Sequence, residues 1–104
     1  MKNILLVCAA GMSTSMLVNK MEEAAKEKEE EININASSGG DVSKYIEDAH
    51  ILLLGPQVSY LKKQYESDYS SKGIPVEVID SLDYGTMNGK KVLDWALNTI
   101  ENNN

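Results

Sequence analysis

The chain has 104 residues, of which 42% are hydrophobic and 25% are charged, and this composition predicts one domain over residues 1–104 with a sizeable core. Sixteen acidic residues against ten basic ones give a formal net charge of −6, and every basic residue is a lysine. Phosphate contacts and guanine readout depend on basic side chains, so we expect an acidic chain without arginine to have no nucleic-acid partner.

The N-terminal segment predicts a buried strand followed by a helix. Residues 4–7 form a continuous apolar run, which is typical of a strand inside a parallel sheet. The hydroxyl residues 13–15 are N-cap candidates, so we expect the first helix to begin at them. Its buried stripe is predicted from apolar residues at helical spacing, namely Met16, Leu17, Met21, Ala24 and Ala25.

The next segment predicts an edge strand and a short helix. Residues 32–36 alternate strictly between apolar and polar, as in a strand with one face buried and the other in water. A Ser-Ser-Gly-Gly loop follows, and Asp41 is expected to cap the short helix. The apolar positions of that helix are Val42, Tyr45, Ile46 and Ala49.

The C-terminal half repeats this alternation twice. Residues 51–54 are an uninterrupted apolar run that stops at Gly55 and Pro56, which predicts a second fully buried strand. A third helix ending near Gly73 is predicted from its apolar positions Val58, Leu61, Tyr65 and Tyr69. Residues 76–79 predict the fourth strand, residues 83–85 a polar turn and residues 88–100 a last amphipathic helix.

Four alternations of strand and helix predict a single-domain α/β fold with three layers. The sheet should be parallel and four-stranded, with helices on both faces and right-handed crossovers. The two fully apolar strands belong in its middle, which the strand order 2-1-3-4 satisfies. In such a sheet the ligand crevice lies beyond the carboxyl ends of the strands, and Cys8 directly follows strand one at that edge.

Cys8 is the only cysteine. One thiol cannot form an internal disulfide, a zinc site or a CxxC redox pair, so we expect no metal and no cofactor. No apolar run approaches the ~20 residues of a membrane span, and the N-terminal run is too short for the core of a signal peptide. These features predict a cytoplasmic protein.

The segment that follows strand one combines this thiol with small and hydroxyl-bearing residues. Small residues leave backbone N–H groups free to surround an anion, and the following helix adds the positive end of its dipole. The same field stabilises a thiolate, so we expect Cys8 to attack phosphorus and to be held as phosphocysteine. The alternative is a small hydrophobic residue at the end of a buried strand. The predicted phosphate-binding residues are Ala9, Ala10, Gly11, Met12, Ser13, Thr14 and Ser15.

A cysteine followed by a phosphate-binding loop and a helix is also the arrangement of low-molecular-weight tyrosine phosphatases and arsenate reductases. Those enzymes carry an arginine six residues after the cysteine, where this chain has Thr14. Without a guanidinium the transition state loses a strong bidentate stabiliser, so hydrolysis of a phosphocysteine should be slow. The missing arginine therefore favours a phosphoryl carrier over a phosphatase.

Three segments together resemble a known family. They are Cys-Ala-Ala-Gly-Met-Ser-Thr-Ser at 8–15, Gly-Pro-Gln at 55–57, and Pro-Val-Glu-Val-Ile-Asp at 75–80 leading to Tyr84 and Gly85. The chain is similar over essentially its whole length to the IIB component of the bacterial sugar phosphotransferase system, in its lactose/cellobiose/chitobiose branch. Residues 12–15 are more similar to cellobiose and chitobiose members than to the glycine-richer loop of lactose members.

The resemblance implies a phosphotransferase subunit. Phosphohistidine on a IIA component would pass its phosphoryl group to Cys8, which would pass it to a sugar bound in the membrane IIC component, with a cellobiose-like disaccharide expected. Localisation would be cytoplasmic, with transient contact at the inner face of the membrane through IIC. Two alternatives stay open, namely a small cysteine phosphatase or arsenate reductase, and a non-catalytic regulatory module.

Three other polar residues are candidates for the site. Gln57 follows strand three at the Cys8 edge, and Asp80 and Tyr84 follow strand four, so each is expected to lie near the phosphoryl group. A turn or cap role explains these residues equally well. His50, the only histidine, precedes strand three and should lie at the opposite edge, about four residues at ~3.3 Å each from Cys8.

Overall fold

The structure is a computed structural model that describes residues 1–8, 12–38 and 42–103, with the side chains of Met12, Ser13 and Ser70 left aside. Within this part of the chain the strands are β1 (Lys2–Val7), β2 (Ile32–Ser37), β3 (Ile51–Leu54) and β4 (Val76–Val78). The α-helices are α1 (Met12–Glu27), α2 (Val42–Tyr45), α3 (Lys62–Tyr69), α4 (Ser81–Gly85) and α5 (Gly89–Asn102). Short 3₁₀ segments lie at Ile46–Asp48, Pro56–Leu61 and Ser70–Lys72.

The four strands form one parallel sheet in the order β2-β1-β3-β4, which confirms the predicted order. The strands β1 and β3 occupy the centre of the sheet. Helices cover both faces there, so an apolar run is required, and all four residues of β3 are buried. The alternating strand β2 and the short strand β4 are the two edges. The carboxyl ends of the strands therefore meet at one side of the domain, where Cys8 follows β1.

The sheet separates two hydrophobic cores, since successive side chains of a strand point to opposite faces. Ile4, Leu6 and Cys8 belong to the core built with α1 and α5, whereas Leu5 and Val7 belong to the core built with α2 and α3. Cys8 therefore continues the alternation of β1, and its side chain lies on the α1 and α5 side.

Helix α1 begins at Met12, so the prediction that residues 13–15 cap it was wrong. The helix starts before the hydroxyl cluster, which places Thr14 and Ser15 in its first turn. Of the predicted stripe, Leu17, Met21, Ala24 and Ala25 are buried, but Met16 is 52% exposed. Met16 lies at the edge of the apolar stripe, whereas Leu17, the next residue, points into the core.

Residues 81–85 form a short helix, α4, and the predicted polar turn at 83–85 was wrong. The carboxylate of Asp80 caps this helix by accepting hydrogen bonds from the backbone N–H groups of Leu82 and Asp83, at 3.1 and 3.2 Å. Helix α5 follows, with Asn88 as its N-cap through a 3.2 Å hydrogen bond from the Lys91 N–H. The Asp41 cap predicted for α2 lies outside the described residues.

Helix α5 approaches α1 closely at Gly89. A Cβ at that position would lie 2.4 Å from the backbone carbonyl carbon of Lys20, so only glycine fits this contact. The close approach seats α5 against the middle of α1.

Candidate active site

Cys8 is held between the ends of three strands. Its backbone N–H donates to the carbonyl oxygen of Ser37 at the end of β2, with 3.1 Å between nitrogen and oxygen. On the other side, the Gly55 N–H donates to the carbonyl oxygen of Val7 at 2.8 Å. These bonds continue the sheet ladder by one residue and fix the backbone that carries the thiol. In this structure Cys8 is a free thiol and is 1% exposed.

Gly55 leaves the space that the thiol occupies. A Cβ added to Gly55 would lie 2.8 Å from Cys8 Sγ and 2.9 Å from Gln57 Oε1, both closer than real Cβ contacts. The backbone of Gly55 is extended, with φ −64° and ψ 154°, so any residue could adopt its conformation. Glycine is therefore needed here for space, and the side chains of Cys8 and Gln57 both lie against it.

The Tyr84 hydroxyl is the point where the site residues meet. It lies within reach of the side chains of Cys8, Thr14 and Gln57 and interacts with all three, and the tyrosine is 7% exposed. Burial raises the pKa of the Tyr84 hydroxyl above its usual value; Cys8, through its hydrogen bond and charge, raises it further, while the bonds with Thr14 and Gln57 lower it. The phenol therefore remains protonated at neutral pH and can donate to an ionised thiol.

The start of α1 supplies the positive end of a helix to the same place. Cys8 precedes this 16-residue helix by four positions, and Thr14 in its first turn is buried with its side chain beside the Tyr84 hydroxyl. Thr14 stands where a cysteine phosphatase carries its arginine, and the chain has no arginine. The stabilisation of negative charge at Cys8 therefore depends on N–H and hydroxyl donors.

The described structure covers the predicted phosphate-binding segment only in part. Ala9, Ala10 and Gly11 lie outside the described residues. Met12 and Ser13 are described as the first backbone residues of α1. Thr14 lies at the site, whereas Ser15 has an exposed side chain.

The two aspartates after β4 have structural partners. The Asp80 carboxylate is occupied by its cap bonds to α4. The Asp83 carboxylate is buried and forms an ion pair with Lys91 Nζ at 3.4 Å. Asp80 therefore positions the helix that carries Tyr84, which is the cap role weighed from the sequence.

His50 lies at the opposite end of the sheet. Its Nδ1 accepts a hydrogen bond from the Asn3 N–H at 2.9 Å, and its own backbone N–H donates to the Asn3 carbonyl at 2.8 Å. Both bonds join it to the beginning of β1, so the only histidine is a structural residue remote from Cys8.

Gly55 is the site residue whose role the sequence reasoning missed. The sequence pattern identifies Gly55 only as the residue that ends a strand, and it does not indicate that a Cβ there would meet the Cys8 sulfur. The position of Gly55 in the sequence does indicate that it lies close to Cys8. Gly55 directly follows β3, which pairs with β1, and Cys8 directly follows β1.

The fold and the site define a doubly wound α/β protein with a single buried cysteine at the carboxyl edge of its sheet, directly before the first helix. Residues 3–94 match the family model "PTS system, Lactose/Cellobiose specific IIB subunit". The chain therefore belongs to the lactose/cellobiose-specific IIB family of the sugar phosphotransferase system (PTS), and it is a phosphotransferase subunit of that system.

Two curated relatives cover nearly the whole chain. The chain is 42% identical to the PTS oligo-beta-mannoside-specific EIIB component of Bacillus subtilis, over 98% of this chain and 99% of the relative. It is 43% identical to the galactose-specific EIIB component of Lactococcus lactis subsp. cremoris, over 95% of this chain and 96% of the relative. A solved structure of a cellobiose-specific IIB component from Borrelia burgdorferi superposes with a TM-score of 0.82 at 47% identity, covering 98% of this chain and 94% of that one.

A third kind of relative is a longer protein. The lactose-specific EIICB component of Staphylococcus haemolyticus is 27% identical over 95% of this chain, which matches 17% of the longer chain. A IIB unit is thus joined to a IIC unit in that relative. Within the described part of the present chain, no helix is long and apolar enough to cross a membrane.

Proposed function

We propose that Cys8 is the phosphoryl carrier of this IIB subunit. It accepts the group from phosphohistidine on a IIA component and transfers it to a sugar held by a membrane IIC component. The observation that carries the proposal is the buried Cys8 thiol, which lies beside the Tyr84 hydroxyl and four residues before a 16-residue helix. Residues 9–15 are included as the phosphate-binding segment, within one IIB domain spanning residues 1–104.

Two in-line displacements make up the proposed reaction. In the first displacement, the Cys8 thiolate attacks phosphorus and an S–P bond forms. The N–P bond breaks at the same time, and its electron pair remains on the imidazole, which takes up a proton. In the second, a sugar hydroxyl loses its proton and its oxygen attacks phosphorus, and the electron pair of the S–P bond returns to sulfur. Positioned donors stabilise both transition states, and Tyr84 and Gln57 are proposed to be among them.

The partners follow from the family. The fusion of IIC and IIB units in a staphylococcal relative supports a IIC partner for this chain, and IIA is proposed as the phosphohistidine donor. We propose that the protein acts in the cytoplasm and reaches the inner face of the membrane through IIC. The proposed sugar is a cellobiose-like disaccharide, in keeping with the cellobiose-specific IIB structure that this chain resembles at 47% identity.

The same geometry supports transfer over hydrolysis. The position of the phosphatase arginine is filled by Thr14, which is buried and engaged with Tyr84. No guanidinium is present to stabilise attack by water. Phosphocysteine should therefore persist until an acceptor arrives, as a carrier requires.

Phosphotransfer from IIA tests the proposal. The protein is incubated with phosphorylated IIA of the same system, and the Cys8 peptide is analysed by mass spectrometry and by acid and alkali stability. An acid-labile, alkali-stable phosphothiol on Cys8 is expected, together with its absence in Cys8→Ser and its retention in the control His50→Ala. A wild-type protein without phosphate on Cys8, or rapid turnover of p-nitrophenyl phosphate lost in Cys8→Ser, would contradict carrier function.

A further inference from the structure

Asp83 carries a buried charge beside the active site. Among the residues that the structure describes, it is the only charged one that is buried. Its side chain is 12% exposed, whereas the carboxylate side chains in the other described ion pairs are at least 38% exposed. Removing a carboxylate from water is costly even when a cation faces it, and an apolar residue of similar volume often stabilises a fold as well. Stability alone therefore does not explain why a charge is buried here.

Asp83 joins α4 to α5 through both its backbone and its side chain. Its carbonyl oxygen accepts a hydrogen bond from the Asn88 N–H at 2.9 Å, and its carboxylate lies 3.4 Å from Lys91 Nζ in the first turn of α5. A helix of five residues makes too few internal hydrogen bonds to be stable by itself. The position of α4 therefore depends on these links to its neighbour.

Helix α5 is a firm attachment for the ion pair. Val92 and Leu93 directly follow Lys91, and both are buried in the core built with α1 and α5. The backbone that carries Lys91 is thus fixed by packing on one side, while the lysine side chain remains 66% exposed on the other. An ion pair with this residue ties α4 to a part of the fold that is held by the hydrophobic core.

Asp83 and Tyr84 are neighbours in α4 but face different surroundings. Successive side chains point about 100° apart around a helix. Tyr84 belongs to the same core as Cys8, whereas Asp83 lines a groove with Val78 and Trp95. An ionised carboxylate also repels a dianionic phosphoryl group, so Asp83 is unsuited to bind that group directly. Any effect of Asp83 on the reaction would therefore pass through the tyrosine next to it.

We propose that Asp83, through its ion pair with Lys91, is a positioning residue for phosphoryl transfer and holds the Tyr84 hydroxyl beside the Cys8 thiol. The ion pair fixes the orientation of α4 relative to α5, and this orientation sets where the hydroxyl lies. The proposal rests on the proposed function, because it concerns the thiol that carries the phosphoryl group. It gives the ion pair a role in the reaction that is separate from the cap made by Asp80.

Single-turnover transfer from the phosphorylated protein to sugar in the presence of IIC tests this role. Asp83→Asn keeps the shape of the side chain and removes its charge, and it should slow transfer about tenfold because a positioned group is displaced. Lys91→Met should have a similar effect, and the double variant should be no slower than either single variant, since both changes remove one interaction. The matched control is Asp94→Asn, which removes the charge of a more exposed ion pair from α5 and should leave transfer unchanged.

The Tyr84→Phe background separates positioning from a merely structural role. If Asp83 acts through the tyrosine hydroxyl, adding Asp83→Asn to Tyr84→Phe should slow transfer by less than about twofold further. A general loosening of the fold would instead slow transfer equally in both backgrounds. Urea unfolding of each variant gives the folded fraction to which the rates are referred.

Three results would overturn the proposal. Transfer at the wild-type rate in Asp83→Asn would show that the ion pair does not position the site. Equal losses in the two backgrounds would assign Asp83 to the stability of the fold. A raised KM for phosphorylated IIA with an unchanged rate of transfer from Cys8 would place Asp83 in donor binding. A wild-type protein that takes up no phosphate on Cys8 would instead contradict the proposed function, so the two failures are distinguishable.

Discussion

The Tyr84 hydroxyl interacts with the thiol of Cys8, and so joins a helix after the last strand to the residue after the first. Since the phenol stays protonated, it is a donor to the negative charge that returns to sulfur when the phosphoryl group leaves. We therefore expect Tyr84 to stabilise the departing thiolate in the proposed reaction.

Tyr84→Phe should slow phosphoryl transfer from Cys8 by roughly tenfold to a hundredfold, the usual loss when a hydrogen bond to a charged group is removed. Single-turnover transfer from phosphorylated protein to sugar in the presence of IIC measures this rate. The matched control is Tyr65→Phe, which removes a buried tyrosine hydroxyl on the other face of the sheet and should leave transfer unchanged. Equal rates for wild type and Tyr84→Phe would argue against this role.

Gly55→Ala should displace the thiol, because the added Cβ would lie 2.8 Å from Cys8 Sγ. We expect phosphorylation of Cys8 to fall at least tenfold, with a loss of about 1–3 kcal/mol in the free energy of unfolding from overpacking. Gly85→Ala is the matched control, since a Cβ there meets nothing within 4 Å. The Gly89→Ala variant separates stability from chemistry, because its clash is with the backbone of α1 rather than with the thiol.

For these glycine variants, phosphorylation is measured with IIA and stability by denaturant unfolding. Gly55→Ala should combine a transfer defect with destabilisation, whereas Gly89→Ala should be destabilised with near-normal transfer in its folded fraction. A Gly55→Ala protein with wild-type phosphorylation would contradict the tight contact at Cys8.

Asp80 should act through the cap of α4. Asp80→Asn retains a capping side chain and should transfer phosphate within about twofold of wild type, while Asp80→Ala should lose about 1 kcal/mol of stability. Initial rates and urea unfolding of both variants check this. If Asp80→Asn strongly reduced phosphoryl transfer but left stability normal, the carboxyl group itself would instead take part in proton transfer.

Alkaline pH should destabilise the fold through its buried tyrosines. Burial raises the pKa of both Tyr65 and Tyr84 above the ordinary value of 10.0. Above about pH 10 the unfolded chain has lost these protons while the folded protein retains them, so the free energy of unfolding falls as pH rises. This stabilisation is fully present below that pH.

Denaturant unfolding between pH 8 and 11 measures the effect. The decline should be smaller in Tyr84→Phe and smallest in the Tyr65→Phe/Tyr84→Phe double variant, which has neither ionisation. Identical pH slopes for the double variant and the wild type would show that these hydroxyls ionise equally in both states.

Apolar patterning was sufficient to predict the sheet. The runs at 51–54 and 4–7 are long enough for strands and too short for helices, and their burial on both faces requires central positions. The predicted start of α1 was wrong because hydroxyl residues, which indicate an N-cap, lie here inside the first turn of the helix. The helix α4 was missed because it depends on a single capping side chain. Asp80 caps a helix of only five residues, which is too short to show helical periodicity in the sequence.

The candidate site was predictable by position but not by contact. A parallel sheet brings the residues after its strands to one edge, so Gln57 and Tyr84 could be expected near Cys8. The meeting of their side chains beside the thiol depends on tertiary packing, such as the space that Gly55 leaves for Cys8 Sγ, which no local pattern encodes. The sequence also did not distinguish Met16 from the buried stripe beside it.

The bonds of the Tyr84 hydroxyl join segments from nearly the whole length of the chain. Contacts between residues so distant in sequence form late, after the loops between them have closed. A nascent or truncated chain that ends before α4 would carry a cysteine but lack its hydroxyl partner. Competence to accept a phosphoryl group is therefore expected to appear only on completion of folding, so that incomplete chains would not divert phosphate from the donor.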